Sequence, residues 1–135
     1  MIEWRIHLAS TPERVYEFLA SATGRAAFWA ESAPERDGTI EFTFPDGLQL
    51  SSRILAVEPP HRLTLTYFGD SEATFSLSAD GSGGCDLSLS DTASDAETMA
   101  GWVSVLLALK AAVDFRVDLR NHDSARTWSR GYADN

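Results

Sequence analysis

Ile2, Trp4, Ile6 and Leu8 alternate with Glu3, Arg5 and His7, a period of two that puts the apolar set on one face of a half-buried strand. The spacing then turns helical. Ser10-Thr11-Pro12-Glu13 offers hydroxyl caps, a proline tolerated in a first turn and an early carboxylate, all suited to the free amides of a helix start. Val15, Phe18, Leu19 and Ala22 share one side, Gly24 interrupts, and Arg25 to Ala30 predicts a second short helix carrying Phe28 and Trp29. From Asp37 to Asp91 short alternating stretches recur. Ile40, Phe42 and Phe44 lead into Pro45-Asp46-Gly47, a hairpin signal because aspartate and glycine tolerate positive φ. The returning stretch opens with Leu48 and Leu50 in one phase and closes with Leu55 and Val57 in the other, which predicts a bulge or bend near Ser51 to Arg53. Glu58-Pro59-Pro60-His61 ends that strand, since proline cannot donate to a ladder. Strands carrying Leu63, Leu65 and Tyr67, then Ala73, Phe75 and Leu77, then Cys85, Leu87 and Leu89 follow, divided by turns at Gly69-Asp70 and at Asp80 to Gly84.

Ser94-Asp95-Ala96-Glu97 has the spacing of a capping box. Behind it Met99, Trp102, Val103, Val105, Leu106, Leu109, Val113 and Val117 predict one broad apolar stripe on a helix reaching about Asn121, roughly 35 to 40 Å long. Only a sheet of comparable length buries such a stripe. The fold class is therefore α+β: a curved antiparallel sheet of about six strands around a long C-terminal helix, with two short helices after the first strand. Residues 1–135 are expected to form one domain, with 122–135 a tail that Trp128 and Tyr132 pack onto the domain or onto a partner.

Composition narrows the function. With 135 residues, 44% hydrophobic and 10% aromatic, the chain buries a real core without disulfides or metal. Its formal charge of -9 repels phosphate backbones and anionic lipid, so neither nucleic acid nor membrane is expected as a partner. The alternating N-terminus is unlike a secretory signal, and no run of about eighteen apolar residues suggests a membrane span. Cys85 is the single cysteine and cannot form an internal disulfide, which suits the cytoplasm. His7, His61 and His122 are scattered, so neither a metal site nor a cofactor is expected.

Five stretches occur in order: Thr11-Pro12-Glu13-Arg14-Val15-Tyr16; Phe28-Trp29; Pro45-Asp46-Gly47; Val57-Glu58-Pro59-Pro60-His61-Arg62-Leu63; and Gly101-Trp102 with Leu106-Leu107-Ala108-Leu109-Lys110. Together they resemble the bacterial proteins related to the C-terminal domain of the heat-shock-protein-ninety ATPase activator, within the SRPBCC or START-like superfamily. The resemblance covers the chain to about Arg120, and the tail motifs around Asn121-His122-Asp123 and Gly131-Tyr132-Ala133 are similar to one bacterial subgroup. It implies a helix-grip fold with a cavity between sheet and helix. Ser52 stands where the family often has glycine. The motifs mark turns and helix contacts, so they imply a fold and a cavity and carry no catalytic residue.

The expected ligand is a small hydrophobic or amphipathic molecule. Trp29, Phe42, Tyr67, Phe75, Trp102, Leu106, Leu109 and Val113 are the candidate lining, with Arg53 turned inward by the bend, and Trp4 as a further bulky group between sheet and helix. The bland alternative is that the apolar residues simply fill the core and Arg53 stays in solvent. Lys110, the single lysine, is expected to snorkel to the rim, and Cys85 to be a small core residue. An enzyme of the cyclase, aromatase or hydrolase type is the alternative, needing convergent polar groups such as Arg53, His7 and Tyr67. A co-chaperone role follows from the family name alone, and a homodimer through Trp128 and Tyr132 is left open.

Overall fold

The alternating N-terminal stretch forms β1 (Ile2–Leu8) in a computed structural model that describes residues 1–135. Thr11 caps the following helix, α1 (Pro12–Ala20), by accepting from the Arg14 amide, with Pro12 in the first turn. Ser21 then caps α2 (Ala22–Phe28). The bend between the two is tight: a Cβ on Gly24 would lie 2.5 Å from the Phe18 Cα. Beyond α2 come β2 (Glu35–Arg36), β3 (Thr39–Thr43), β4 (Gln49–Glu58), β5 (Arg62–Thr66), β6 (Glu72–Ala79), β7 (Cys85–Asp91) and the long helix α3 (Ala96–Phe115).

Seven strands lie in the order β1-β7-β6-β5-β4-β3-β2, every pairing antiparallel. The extra strand over the expected six is the two-residue β2, too short to show as a pattern. β4 makes the sheet curve. Its first half, Gln49 to Arg53, pairs with β3 and its second half, Ile54 to Glu58, with β5. The register breaks between Ile54 and Ala56, so the bulge falls at Leu55, later than the phase change in the sequence suggests. Val57 then sits opposite buried Leu63 on the inner face, but at a strand end where nothing covers it, and it stays exposed. Helix and sheet meet over a core that includes Ile2, Leu19, Leu65, Leu89, Leu106 and Leu109.

α3 differs from the expectation at both ends. Asp95, not Ser94, is the N-cap, accepting from the Thr98 amide and hydroxyl at 2.9 and 2.7 Å. The helix stops at Phe115, short of Asn121, because Arg116 adopts a left-handed φ of 56° and the amides of Arg116 and Val117 turn back onto Ala112 and Ala111 carbonyls. A left-handed arginine leaves no glycine in the sequence to announce the stop. Met99 and Val103 lie exposed on the outer side of α3, and Val117 lies exposed beyond its end. Ala96–Phe115 is also, by length and composition, long and apolar enough to cross a membrane, contrary to the reading from the sequence; here Trp102, Leu106 and Leu109 bury one side of it.

The end of α3 is fixed to the start of the chain. Asp114 accepts from the amides of Ala9 and Ser10 and from the Ser10 hydroxyl, and Lys110 bridges Asp114 and the His7 carbonyl. Burial alone would raise the Asp114 carboxyl, but the Ala9 amide, Lys110 and Ser10 outweigh it and hold it below the usual carboxylate range. The chain beyond α3 folds back along the helix. Asn121 accepts no further turn and instead donates its amide to the Asp134 carbonyl at 2.7 Å, and Ser104 of α3 donates to the Ala133 carbonyl at 2.9 Å.

Candidate functional site

The inward residues of β3, β5 and β6 meet α2 and α3 in a cluster of rings. Trp29, just past α2, is at its centre, with ring centroids 4.7 Å from Phe42, 5.7 Å from Phe75 and 5.9 Å from both Tyr67 and Trp102. Tyr67 lies against Trp102 at 4.5 Å. Offset and edge contacts of this kind add to the burial of each ring. The indole N–H of Trp102 donates to the buried carboxylate of Asp91 at 2.7 Å, and that of Trp29 donates to the Tyr67 hydroxyl at 3.1 Å. The Tyr67 oxygen therefore acts as acceptor, and its own hydrogen has no acceptor within bonding distance. Burial pushes the Tyr67 phenol up, so it remains a neutral donor.

The rings are packed below and open above. A cavity of about 500 Å³ lies over Trp29, Tyr67 and Trp102, within the size range of small-molecule sites. Phe44, Pro45, Leu48 and Phe68 wall it on the side of the β3–β4 hairpin. Thr98, Gly101, Ser104 and Val105 wall it on the side of α3, and Trp128, Ser129 and Asn135 on the side of the tail. Asp46, Asp95 and Glu97 stand at its edge. A second, more open depression of about 530 Å³ lies between α1, α2 and the end of α3, with Arg14, Phe18 and Arg116 on its walls.

Of the residues singled out in the sequence, Trp29, Tyr67 and Trp102 line the cavity. Phe42, Phe75, Leu106, Leu109 and Val113 are buried in the closed core beneath it. Arg53 is exposed and Ser52, its neighbour, is the one that faces inward, fully buried with a hydroxyl that finds no partner. The reason is register: Ser52 pairs with buried Ile40, and the bulge that could have reversed the facing comes two residues after Arg53. Trp4 sits at the margin, 36% exposed, donating to the Met99 carbonyl. His7 is exposed against Asp80 at 2.7 Å. Arg53, His7 and Tyr67 are thus not brought together. Burial pushes the Cys85 thiol up to about 11, with Asp114 and Asp80 adding to the shift, and keeps it protonated.

The sequence reading missed the rim. Its residues come from the hairpin tip, the first turn of α3 and the tail, where no periodicity marks a facing. Trp128 in a polar tail was the one available signal. The tail is held in place by Arg120, whose guanidinium donates to the Ala26 and Ala30 carbonyls at 2.7 and 2.8 Å and pairs with Asp118. His122 reaches Glu31 at 2.6 Å and Asp118 at 2.7 Å. Burial would raise Asp118, but the bonds from Arg120 and His122 leave it at about 2.

Residues 9–114 match the family described as Activator of Hsp90 ATPase homolog 1-like protein. Among solved structures, protein SSP2350 from Staphylococcus saprophyticus is 22% identical with a TM-score of 0.79, over 88% of this chain and 95% of that one. The Aha1 dimer from Colwellia psychrerythraea is 21% identical with a TM-score of 0.74, over 84% and 96%. DynU16, a protein of the dynemicin biosynthetic locus, is 19% identical with a TM-score of 0.73, over 87% of this chain and 48% of that one. At these identities the likeness is one of fold. No functionally curated protein matches the sequence.

Proposed function

The chain belongs to the Activator of Hsp90 ATPase homolog 1-like protein family, and on that premise we propose that it binds a small hydrophobic or amphipathic molecule in the cavity over Trp29, Tyr67 and Trp102. One observation carries the reading: about 500 Å³ of space remains above an aromatic floor that is otherwise densely packed. A ligand seated there covers apolar area that the wall still exposes, at Leu48 and Phe68 above all. The Tyr67 hydroxyl accepts from the Trp29 indole and keeps its own hydrogen free for an acceptor oxygen on the ligand. The tail supplies part of the wall through Trp128, Ser129 and Asn135.

Binding of the uncharged, solvatochromic dye Nile red tests this. The expected result is a saturable one-to-one blue shift, with energy transfer from tryptophan. Purely non-saturable partitioning, or a site that survives truncation of both Trp29 and Trp102, would sink it. Of the three polar groups named for an enzyme, Arg53, His7 and Tyr67, the cavity wall contains Tyr67 alone.

A homodimer is a second proposal, favoured by a specific surface. Met99, Val103 and Leu107 follow at helical spacing on the outer side of α3 and are exposed, and an apolar stripe of this kind is the sort of surface a partner covers. The relative from Colwellia is a dimer. Sedimentation of the chain against Leu107→Glu separates the cases: a dimer through α3 dissociates in the variant, whereas one through Tyr132 persists.

A further inference from the structure

We infer that the ligand of this cavity is an organic cation with an apolar body, an amine or quaternary ammonium, and that carboxylates and phosphates are rejected. The inference rests on the proposed cavity and names the chemistry it selects.

Two independent features of the wall point the same way. Six of its side chains are aromatic: Trp29, Phe44, Tyr67, Phe68, Trp102 and Trp128. The faces of such rings are negative and attract an ammonium group, most strongly where water is excluded. The charged side chains of the wall are Asp46, Asp95 and Glu97, and no arginine or lysine is among its residues. Asp46 sits at the hairpin tip, while Asp95 and Glu97 sit across from it in the cap and first turn of α3. The mouth is therefore acidic on both sides.

The start of α3 pulls in the opposite direction, and magnitudes decide. An exposed helix N-terminus carries roughly half a positive charge. Against it stand three full carboxylates, and the Thr98 amide that would serve an anion is already taken by Asp95. The Thr98 hydroxyl and amide also hold the Asp95 carboxyl below the usual range, so it is ionised at neutral pH. The formal charge of -9 adds a field of the same sign. An anion entering here meets neither a guanidinium nor an ammonium. The arginines nearest in the tail face elsewhere: Arg126 pairs with Asp123 and Arg130 donates to the Ala125 carbonyl.

The test displaces Nile red with a matched series, octyltrimethylammonium, octanol and octanoate, at pH 7.5 and low salt, each below its micelle concentration. The cation is expected to compete at least about tenfold better than octanoate, the scale of one desolvated cation–π contact, with octanol between them. Raising the ionic strength to about 0.5 M should narrow the ratio, because rim carboxylates act through solvent. A double substitution, Asp46→Asn with Glu97→Gln, should lower the ratio about threefold to tenfold. It keeps the acceptor that Asp46 offers the Leu48 amide, and Glu97 makes no hydrogen bond, so folding is retained. Octanoate competing as well as the cation overturns the inference while leaving the cavity reading intact. Failure of all three to displace bound dye overturns the cavity reading itself. A ratio unchanged in the double variant removes the rim from the explanation.

Discussion

Gly101 offers a clean way to fill the cavity from inside a helix. It lies within α3, lines the cavity, has no positive φ, and a Cβ built on it meets nothing within 4 Å. Gly101→Phe therefore projects a benzyl group into open space. A cavity of about 150 Å³ holds a benzene molecule, so this ring takes up roughly a third of the 500 Å³. A ligand that uses the space loses its fit, and we expect its affinity to drop at least about tenfold, or about 1.4 kcal/mol. Stability should move the other way. Replacing glycine inside a helix by phenylalanine gains about 0.4 kcal/mol of propensity, and contact with Trp29 or Trp102 adds to it, so Tm rises by about 2 °C or more. The paired assay is Nile red binding and thermal denaturation on one preparation. The reasoning is refuted if binding is unchanged, which puts the ligand elsewhere, or if Tm falls by several degrees, which means that the wall at Gly101 is closed.

Three further outcomes follow from the packing. Arg25 is 1% exposed and donates to the Ala33 carbonyl through two nitrogens and to Leu19 through a third, with no carboxylate bonded to it; Arg25→Met leaves two buried acceptors empty and should cost about 3 kcal/mol, read from the urea midpoint. Gly84→Ala should be as damaging, about 2 kcal/mol or more by forced backbone movement, since its Cβ would lie 2.5 Å from the Leu8 carbonyl oxygen where β1 meets β7; an unchanged midpoint would show that these strands can part. The tail should loosen with rising pH. Glu31 foremost, then Asp118, raise the His122 pKa above 6.5 against Arg120 and partial burial, so its contribution is full below about 6.5 and is lost as pH climbs through the raised value. Protection factors of residues 121–135, which divide out the intrinsic rise of exchange with pH, should fall across that window in the native chain and not in His122→Ala.

The fold was legible because its elements obey simple periods. Ile40 and Phe42, Leu63 and Leu65, Leu87 and Leu89 each alternate, each is buried, and each pair lands on the concave face. Three of the cavity's rings were legible for the same reason: Tyr67 continues the alternation of β5, Trp102 lies on the core side of α3, and Trp29 closes α2. What was not legible depends on single backbone events. Unbroken pairing with β3 as far as Arg53, the extra residue coming only at Leu55, leaves Arg53 facing water and Ser52 facing the core. One left-handed arginine, Arg116, turns a helix expected to reach Asn121 back on itself. That second event matters for the site, because a helix running straight on would carry Trp128 away from the cavity. Arg116 reverses the chain, Arg120 and His122 fasten it to the carbonyls and carboxylate beside α2, and only then can Trp128 and Asn135 reach the rim. The tail wall is thus held by polar bonds at the surface and the floor by buried rings. Tail contacts weaken with pH and exposure long before the core does, so the protection of 121–135 against exchange should follow the state of His122 rather than the stability of the sheet.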